Sequence, residues 1–166
     1  MTTMARWEAG TSSPIDVLEQ IVAANDWAFD RPSNEEMAVQ LPSRWCDFNF
    51  YVAWESLVDT VQFTLNLHLR VPTTRRQPVH ELLALVNEKV WMGHFAVWND
   101  EALLVYRHAL PLRGSDGPTT AQMEDLIQTA MEECERFYPA FQYVIWGGKS
   151  ASEAVAAAMI ETVGEA

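Results

Sequence analysis

The sequence predicts an α+β fold, an antiparallel sheet with helices packed on it, and three observations carry that reading. First, Val61 to Arg70 alternates without a break. Val61, Phe63, Leu65, Leu67 and Leu69 point one way, and Gln62, Thr64, Asn66, His68 and Arg70 the other. Second, two later stretches carry apolar stripes at helical spacing. Third, the elements are segregated, in the order helix, strands, helix, hairpin, long helix, tail helix, and do not alternate as a parallel sheet requires.

The alternating stretch fixes its own register. Burying each inward side chain contributes about 1.5 to 3 kcal/mol, whereas a one-residue slip forces a row of polar side chains inward at about 1 to 3 kcal/mol apiece. The strand before it is expected from Trp45, joined by a short polar turn. Cys46, Phe48, Phe50, Val52 and Trp54 lie on one face, and Trp45, Asp47, Asn49, Tyr51 and Ala53 on the other. That second face is partly apolar, so the sheet is expected to need cover on both sides. The face bearing Thr64, Asn66, His68 and Arg70 is left to water or to another subunit.

Taken in order, residues 1–13 lack periodicity and are expected to be mobile up to the first helix. Ser13, Pro14 and Asp16 supply a cap, a first-turn proline and a first-turn acid, and Ile15, Leu18, Ile21 and Val22 recur at helical spacing to about Asn25. Trp27 to Arg31 and Met37 to Leu41 read as short strands stopped by Pro32 and Pro42. After the central pair, Val71-Pro72 breaks the chain. A helix from about Gln77 aligns Val79, Leu82, Leu83, Val86 and Val90, with Gly93 as its expected end. His94 to Trp98 and Leu103 to Leu110 form a hairpin around Asn99, Asp100 and Glu101, followed by a loop from Arg113 to Pro118. Thr119 or Thr120 caps the longest helix, striped by Met123, Leu126, Ile127, Ala130, Met131, Cys134, Phe137 and Phe141. Pro139 is expected to kink it without ending it, and Gly147-Gly148 to end it. Ser150 with Glu153 opens a further alanine-rich helix over residues 150–163.

The 166 residues suit one domain, expected over residues 14–163. Its net charge of -12, from 23 acidic and 11 basic residues, repels phosphate backbones and anionic lipid, so neither nucleic acid nor a membrane is expected as partner. No secretory leader and no apolar run long enough to span a bilayer is read, and Cys46 and Cys134 lack metal-ligand spacing, so a reduced, cytoplasmic protein is expected.

The motifs nearest to known chemistry fail on spacing. His80-Glu81-Leu82-Leu83-Ala84 starts like a zinc-protease helix but has Ala84 where the second histidine must stand. Gly147-Gly148-Lys149-Ser150 resembles the end of a phosphate loop, but Tyr143 replaces its first glycine and a helix precedes it. His68, His80, His94 and His108 have no spacing that pairs them with a cysteine, although His94 and His108 are candidates to meet across the hairpin. No catalytic residue, cofactor or metal site is expected.

Aromatics are more informative. Trp91, Trp98, Phe137, Tyr138, Phe141, Tyr143 and Trp146 are too many for one side of two helices and a hairpin. Trp91, Trp98, Tyr138, Tyr143 and Trp146 are the candidate protein-binding surface.

Several strings carry a resemblance. Trp27-Ala28-Phe29-Asp30-Arg31-Pro32, Glu81-Leu82-Leu83-Ala84-Leu85-Val86-Asn87-Glu88, Trp91-Met92-Gly93-His94-Phe95, Arg107-His108-Ala109-Leu110, Cys134-Glu135-Arg136-Phe137-Tyr138-Pro139-Ala140-Phe141 and Ile145-Trp146-Gly147-Gly148-Lys149-Ser150 resemble the alphaproteobacterial branch of the YbjN-like proteins. The resemblance covers about Pro14 to Thr162. It implies a fold similar to type III secretion chaperones, small acidic α+β proteins that dimerise and hold partly unfolded clients, and a role in sensory transduction regulation without catalytic residues. The expected protein is therefore a non-enzymatic, chaperone-like or regulatory adaptor, a homodimer that binds an unknown protein client. A small-ligand sensor is the alternative, and an enzyme with a Cys/His site the third reading. The segment after Gly147 departs from the chaperone pattern and is expected to cover part of any client surface.

Overall fold

The computed structural model describes residues 13–164, with side chains to residue 160, so the expectation for the first dozen residues falls outside the described residues. Helix α1 (Pro14–Ala24) starts at Ser13, whose hydroxyl accepts from the Asp16 amide while Asp16 accepts from the Ser13 amide, a reciprocal cap. Strands β1 (Phe29–Asp30), β2 (Glu36–Leu41), β3 (Phe48–Glu55) and β4 (Thr60–Arg70) follow. Beyond a single 3-10 turn come α2 (Arg76–Lys89), β5 (His94–Trp98), β6 (Leu103–Pro111), α3 (Thr120–Ile145) and α4 (Ala151–Gly164). All neighbouring strands are antiparallel, in the order β1-β2-β3-β4-β6-β5.

Register divides the sheet into two unlike faces. Phe29, Val39, Phe50, Leu65, Tyr106 and Phe95 form one row across all six strands, and its last five members are at most 2% exposed. One residue along, Asp30, Ala38, Tyr51, Thr64, Arg107 and His94 form the matching row on the other face, where Tyr51 is 44% exposed. Helices α1 and α3 close the first face: α1 packs on β2, β3 and α3, and α3 packs on β4. The odd-numbered residues Val61 to Leu69 are buried there with Leu18, Phe137 and Phe141 in one apolar cluster. No described helix covers the second face, so the expectation of cover on both sides is not met among the described residues. Alanines and amides let that face stay wet.

Several local expectations need correction. Trp45 and Cys46 precede the strand, in a loop folded back against α3. The turn between β3 and β4 is not polar, for Leu57 and Val58 stand at its tip, 79% and 57% exposed. Helix α2 ends at Lys89, with Val90 already extended, so Gly93 is not its cap. Gly93 sits at φ +77° where a Cβ would overlap the Tyr106 hydroxyl and lie 2.9 Å from the Arg107 carbonyl. Only glycine fits between that loop and β6. The unbroken alternation of β4 also conceals a bulge. Asn66 pairs with Val105 and Arg70 with Leu103, so four steps on β4 face two on β6. His68 absorbs the excess at φ +57°, its amide donating to Asn66 Oδ1 at 2.8 Å, while Leu67 and Leu69 both remain inside.

Helix α3 runs through Pro139, as the apolar spacing requires. A proline has no N–H for the carbonyl one turn earlier, here that of Glu135. Trp45 supplies the missing donor: its indole N–H reaches the Glu135 carbonyl at 3.0 Å while its ring stacks on Tyr138, centroids 5.8 Å apart and planes at 14°. The Arg44 amide holds the same residue through Glu135 Oε1 at 3.1 Å. The edge strand β5 is finished in a similar way. Asn87 of α2 donates from Nδ2 to the Phe95 carbonyl at 3.0 Å and accepts the Phe95 amide on Oδ1 at 2.8 Å, as a neighbouring strand would.

Candidate interaction surface

The five aromatics singled out by sequence fall into three places. Tyr138 is 6% exposed, packed against Trp45 and Phe48, and belongs to the covered layer, not to a surface. Burial, then the Cys46 thiol 3.9 Å from its hydroxyl, pushes the Tyr138 phenol up to about 12. Trp91 is 75% exposed but stands in the loop after α2. Trp98 and Trp146, 39% and 65% exposed, close β5 and cap α3 respectively.

Two adjacent arginines bring these last two to the same end of the molecule. Arg76, at the start of α2, donates from Nη2 to the carbonyl of Asn99, next to Trp98, at 3.0 Å. Arg75 donates from Nε to the Val144 carbonyl at 2.8 Å and from Nη2 to the Lys149 carbonyl at 3.1 Å. Those carbonyls belong to the last turn of α3 and the loop after it, where the helix lacks donors of its own. The guanidinium is thus the clamp that sets Trp146 beside the start of α2. Trp91 follows the far end of α2, and 14 residues at 1.5 Å each put it about 20 Å away. Tyr143, half-buried, stands in the last turn of α3 beside Trp146, with the Lys149 ammonium 5.7 Å from its ring centroid. Beside Trp98 the residues from Val97 to Glu101 line an open depression of about 430 Å³. Sequence reasoning found the two tryptophans but not the arginines that join them; their signal was a pair of adjacent cations, Arg75 and Arg76, three residues past the break at Pro72.

Groups able to do chemistry are dispersed. Cys134 is fully buried on α3, and burial, with Glu133 and Glu135 beside it, pushes its thiol well up. His94 pairs with Arg107 on the open face, whereas His108 pairs with Phe63 on the covered one, so the two histidines do not face each other. Burial and then the His94 charge hold His108 below the ordinary imidazole value. Among the described residues no three His, Cys, Asp or Glu side chains are placed to hold a metal ion, and no helix is long and apolar enough to cross a membrane.

The family model for YbjN, described as "Putative bacterial sensory transduction regulator", matches residues 14–143. The chain belongs to the YbjN family. Among solved structures it is similar to that of YbjN from E. coli, described as "a putative transcription regulator", at 18% identity and a TM-score of 0.53, over 73% of this chain and 85% of that one. That likeness extends to the fold. No curated protein matches the chain. Helix α4 and the clamped loop ahead of it lie beyond the part matched to the YbjN model, while Trp91, Trp98, Arg75 and Arg76 lie within it.

Proposed function

We propose that this YbjN-family chain is a non-enzymatic regulatory adaptor of the cytoplasm, a homodimer that binds another protein through the end bearing Trp98 and Trp146. The observation that carries the reading is the arginine clamp, which holds two exposed tryptophans of distant sequence at one end of the molecule. Exposed tryptophans beside fixed cations and carbonyls are the usual anchors of protein recognition. The E. coli relative is described as a transcription regulator; with a net charge of -12 on this chain, any such action here runs through a protein and not through the phosphate backbone. A client-holding role of the chaperone kind meets an obstacle in α4, which packs over α2 and α3. The depression at Val97 to Glu101 is open and formed by one hairpin tip, which suits a protruding side chain better than an enclosed small ligand.

The test is affinity capture from native lysate with parallel variants. Trp98→Ala and Trp146→Ala each lose a partner that the wild type and Trp91→Ala retain. A Trp98→Ala/Trp146→Ala double variant that captures the same proteins as wild type overturns the assignment of this end.

A further inference from the structure

We infer that the open face of the sheet over β4, β6 and β5 is the seat of a short acidic segment of a protein partner, laid along β6 from Arg107 toward Trp98. This deepens the proposed function by naming the chemistry of the partner on its Trp98 side, and it rests on that reading.

Charge splits the sheet into two halves. Strands β1, β2 and β3 carry Asp30, Glu36 and Glu55 and no Lys, Arg or His. Strands β4, β6 and β5 carry His68, Arg70, His94, Arg107 and His108 and no Asp or Glu. In a chain with 23 acidic residues against 11 basic ones, three neighbouring strands without a carboxylate reverse the overall balance.

Register puts most of these basic groups on one surface. Arg107 pairs with Thr64 and His94, Val105 with Asn66 and Ala96, and Leu103 with Arg70 and Trp98. All three rows lie on the open face, and of the five basic groups only His108, paired with Phe63, belongs to the covered one. Arg70, His68 and His94 are exposed, and Arg107 is half-buried. The two guanidinium groups have no counter-charge at home. Arg31 holds Asp16 and Glu19, Arg75 and Arg76 hold carbonyls, and Arg136 stands by Glu133. Neither Arg70 nor Arg107 has a side-chain partner among the described residues. Arginines left open in this way are suited to a partner's carboxylates, which they can grip through two parallel hydrogen bonds.

Apolar groups lie between the cations. Val105 is fully buried, Leu103 is half-buried and Trp98 is 39% exposed. Arg107 and Leu103, the partner of Arg70, are four residues apart on β6, or about 14 Å at about 3.4 Å per residue. An extended segment with acids four residues apart and an apolar side chain midway keeps the same step. Its first carboxylate meets Arg107 and His94, its apolar group meets Val105 and Ala96, and its second carboxylate meets Arg70 beside the Trp98 ring.

The surroundings decide the class of anion. Asp100 and Glu101 close the hairpin tip beyond Trp98, and Glu55, paired with Thr60, stands at the opposite end of β4. A nucleic acid would carry its phosphates past these acids, over a chain of net charge -12, and has no aliphatic group for Val105. A short acidic peptide ends within the basic strip.

Fluorescence anisotropy on the full chain decides it. The probes are a labelled synthetic peptide with Glu, Leu and Glu at alternate positions between serines, a counterpart with Lys for Glu, and a single-stranded oligonucleotide of similar length. Thermal melts check that each variant folds. Wild type is expected to bind the Glu peptide at least tenfold more tightly than either other probe. It should lose that peptide between about 0.1 and about 1 M salt, as the screening length falls from about 10 to about 3 Å. Arg70→Glu and Arg107→Glu are each expected to weaken binding at least tenfold, Arg70→Gln and Arg107→Gln less, and Glu36→Gln/Glu55→Gln on the acidic half to stay within a few-fold of wild type. Equal binding of the Glu and Lys peptides, tighter binding of the oligonucleotide, or Glu-peptide binding unchanged in Arg70→Glu/Arg107→Glu overturns the inference. So does a tenfold gain in Glu36→Gln/Glu55→Gln, which would put the acidic half of a second copy on the strip. Trp98 and Trp146 are intact in all these variants, so the two readings fail separately. A failed peptide with capture still lost in Trp98→Ala overturns the acidic chemistry alone, and a bound peptide with capture unchanged in Trp98→Ala/Trp146→Ala overturns the tryptophan end alone.

Discussion

Two rows of side chains one residue apart in register differ in almost every physical respect. Val39, Phe50, Leu65, Tyr106 and Phe95 are buried beneath the helices, with Phe29 half-open at the end of their row, whereas no described helix covers Asp30, Ala38, Tyr51, Thr64, Arg107 and His94. The backbone that carries them is the same. What differs is that the first row derives its energy from inside the chain and leaves nothing to offer a partner, while the second carries little folding energy and keeps its recognition groups free. An antiparallel sheet separates these two properties at a period of two.

The sharpest break in that comparison is a pair of truncations at adjacent positions. Leu65 is fully buried, paired with Phe50 on one side and Tyr106 on the other. Leu65→Ala is expected to lower unfolding stability by about 3 kcal/mol, through lost transfer energy and the cavity left behind. Thr64→Ala, on the open face, is expected to change it by no more than about 0.5 kcal/mol. Urea unfolding of both variants as dilute monomers checks this. Equal losses would mean that the open face is as much a part of the core as the covered one.

A second prediction concerns how the cover is fastened. Trp45→Phe keeps a ring on Tyr138 but removes the donor to the Glu135 carbonyl, and is expected to cost about 1 kcal/mol. In a Pro139→Ala background the helix supplies its own N–H to that carbonyl, so the same Trp45→Phe change should cost close to nothing. The coupling in this double-mutant cycle is the measurement. Equal costs in the two backgrounds would leave Trp45 with a packing role alone.

The covered face was legible from sequence because alternation over Val61 to Leu69 and the stripe from Met123 to Phe141 each encode burial locally. What could not be read depends on partners far away in the chain. Pro139 announces that the Glu135 carbonyl lacks a donor, but nothing local says that Trp45, some 90 residues away, provides it; the same residue reads just as well as the start of β3. His68 keeps the alternation of β4 intact while bulging, so the pattern is blind to it. At the candidate surface, composition identified exposed tryptophans, but the pairing of Trp98 with Trp146 and the burial of Tyr138 depend on Arg75, Arg76 and the loop around Trp45. All of these are tertiary contacts without a period.

The smallest expected effect lies at the margin of the covering helix. Glu133 is 7% exposed on α3, with Oε1 3.9 Å from Arg136 Nη1 and Oε2 without a hydrogen-bond partner. Burial pushes its carboxyl above the usual range, against the opposing pull of Arg136. A carboxyl with a raised folded-state pKa binds its proton more tightly in the native than in the unfolded chain. At low pH both states are protonated and there is no penalty. As the pH rises past the unfolded value, about 4.3, the unfolded chain ionises first and native stability falls until the pH passes the folded value. Glu133→Gln removes this titration. Its stability, measured by urea unfolding from acid to neutral pH, should therefore exceed that of wild type by a margin that grows from about pH 4 and levels off at about 1 kcal/mol. A margin that shrank as the pH rose would mean that the native fold prefers the carboxylate, as it does at Asp16, where the Arg31 guanidinium 2.6 Å away holds the carboxyl below its ordinary value. One acid without an adequate partner and one with a close guanidinium should thus carry opposite slopes on the same helical layer.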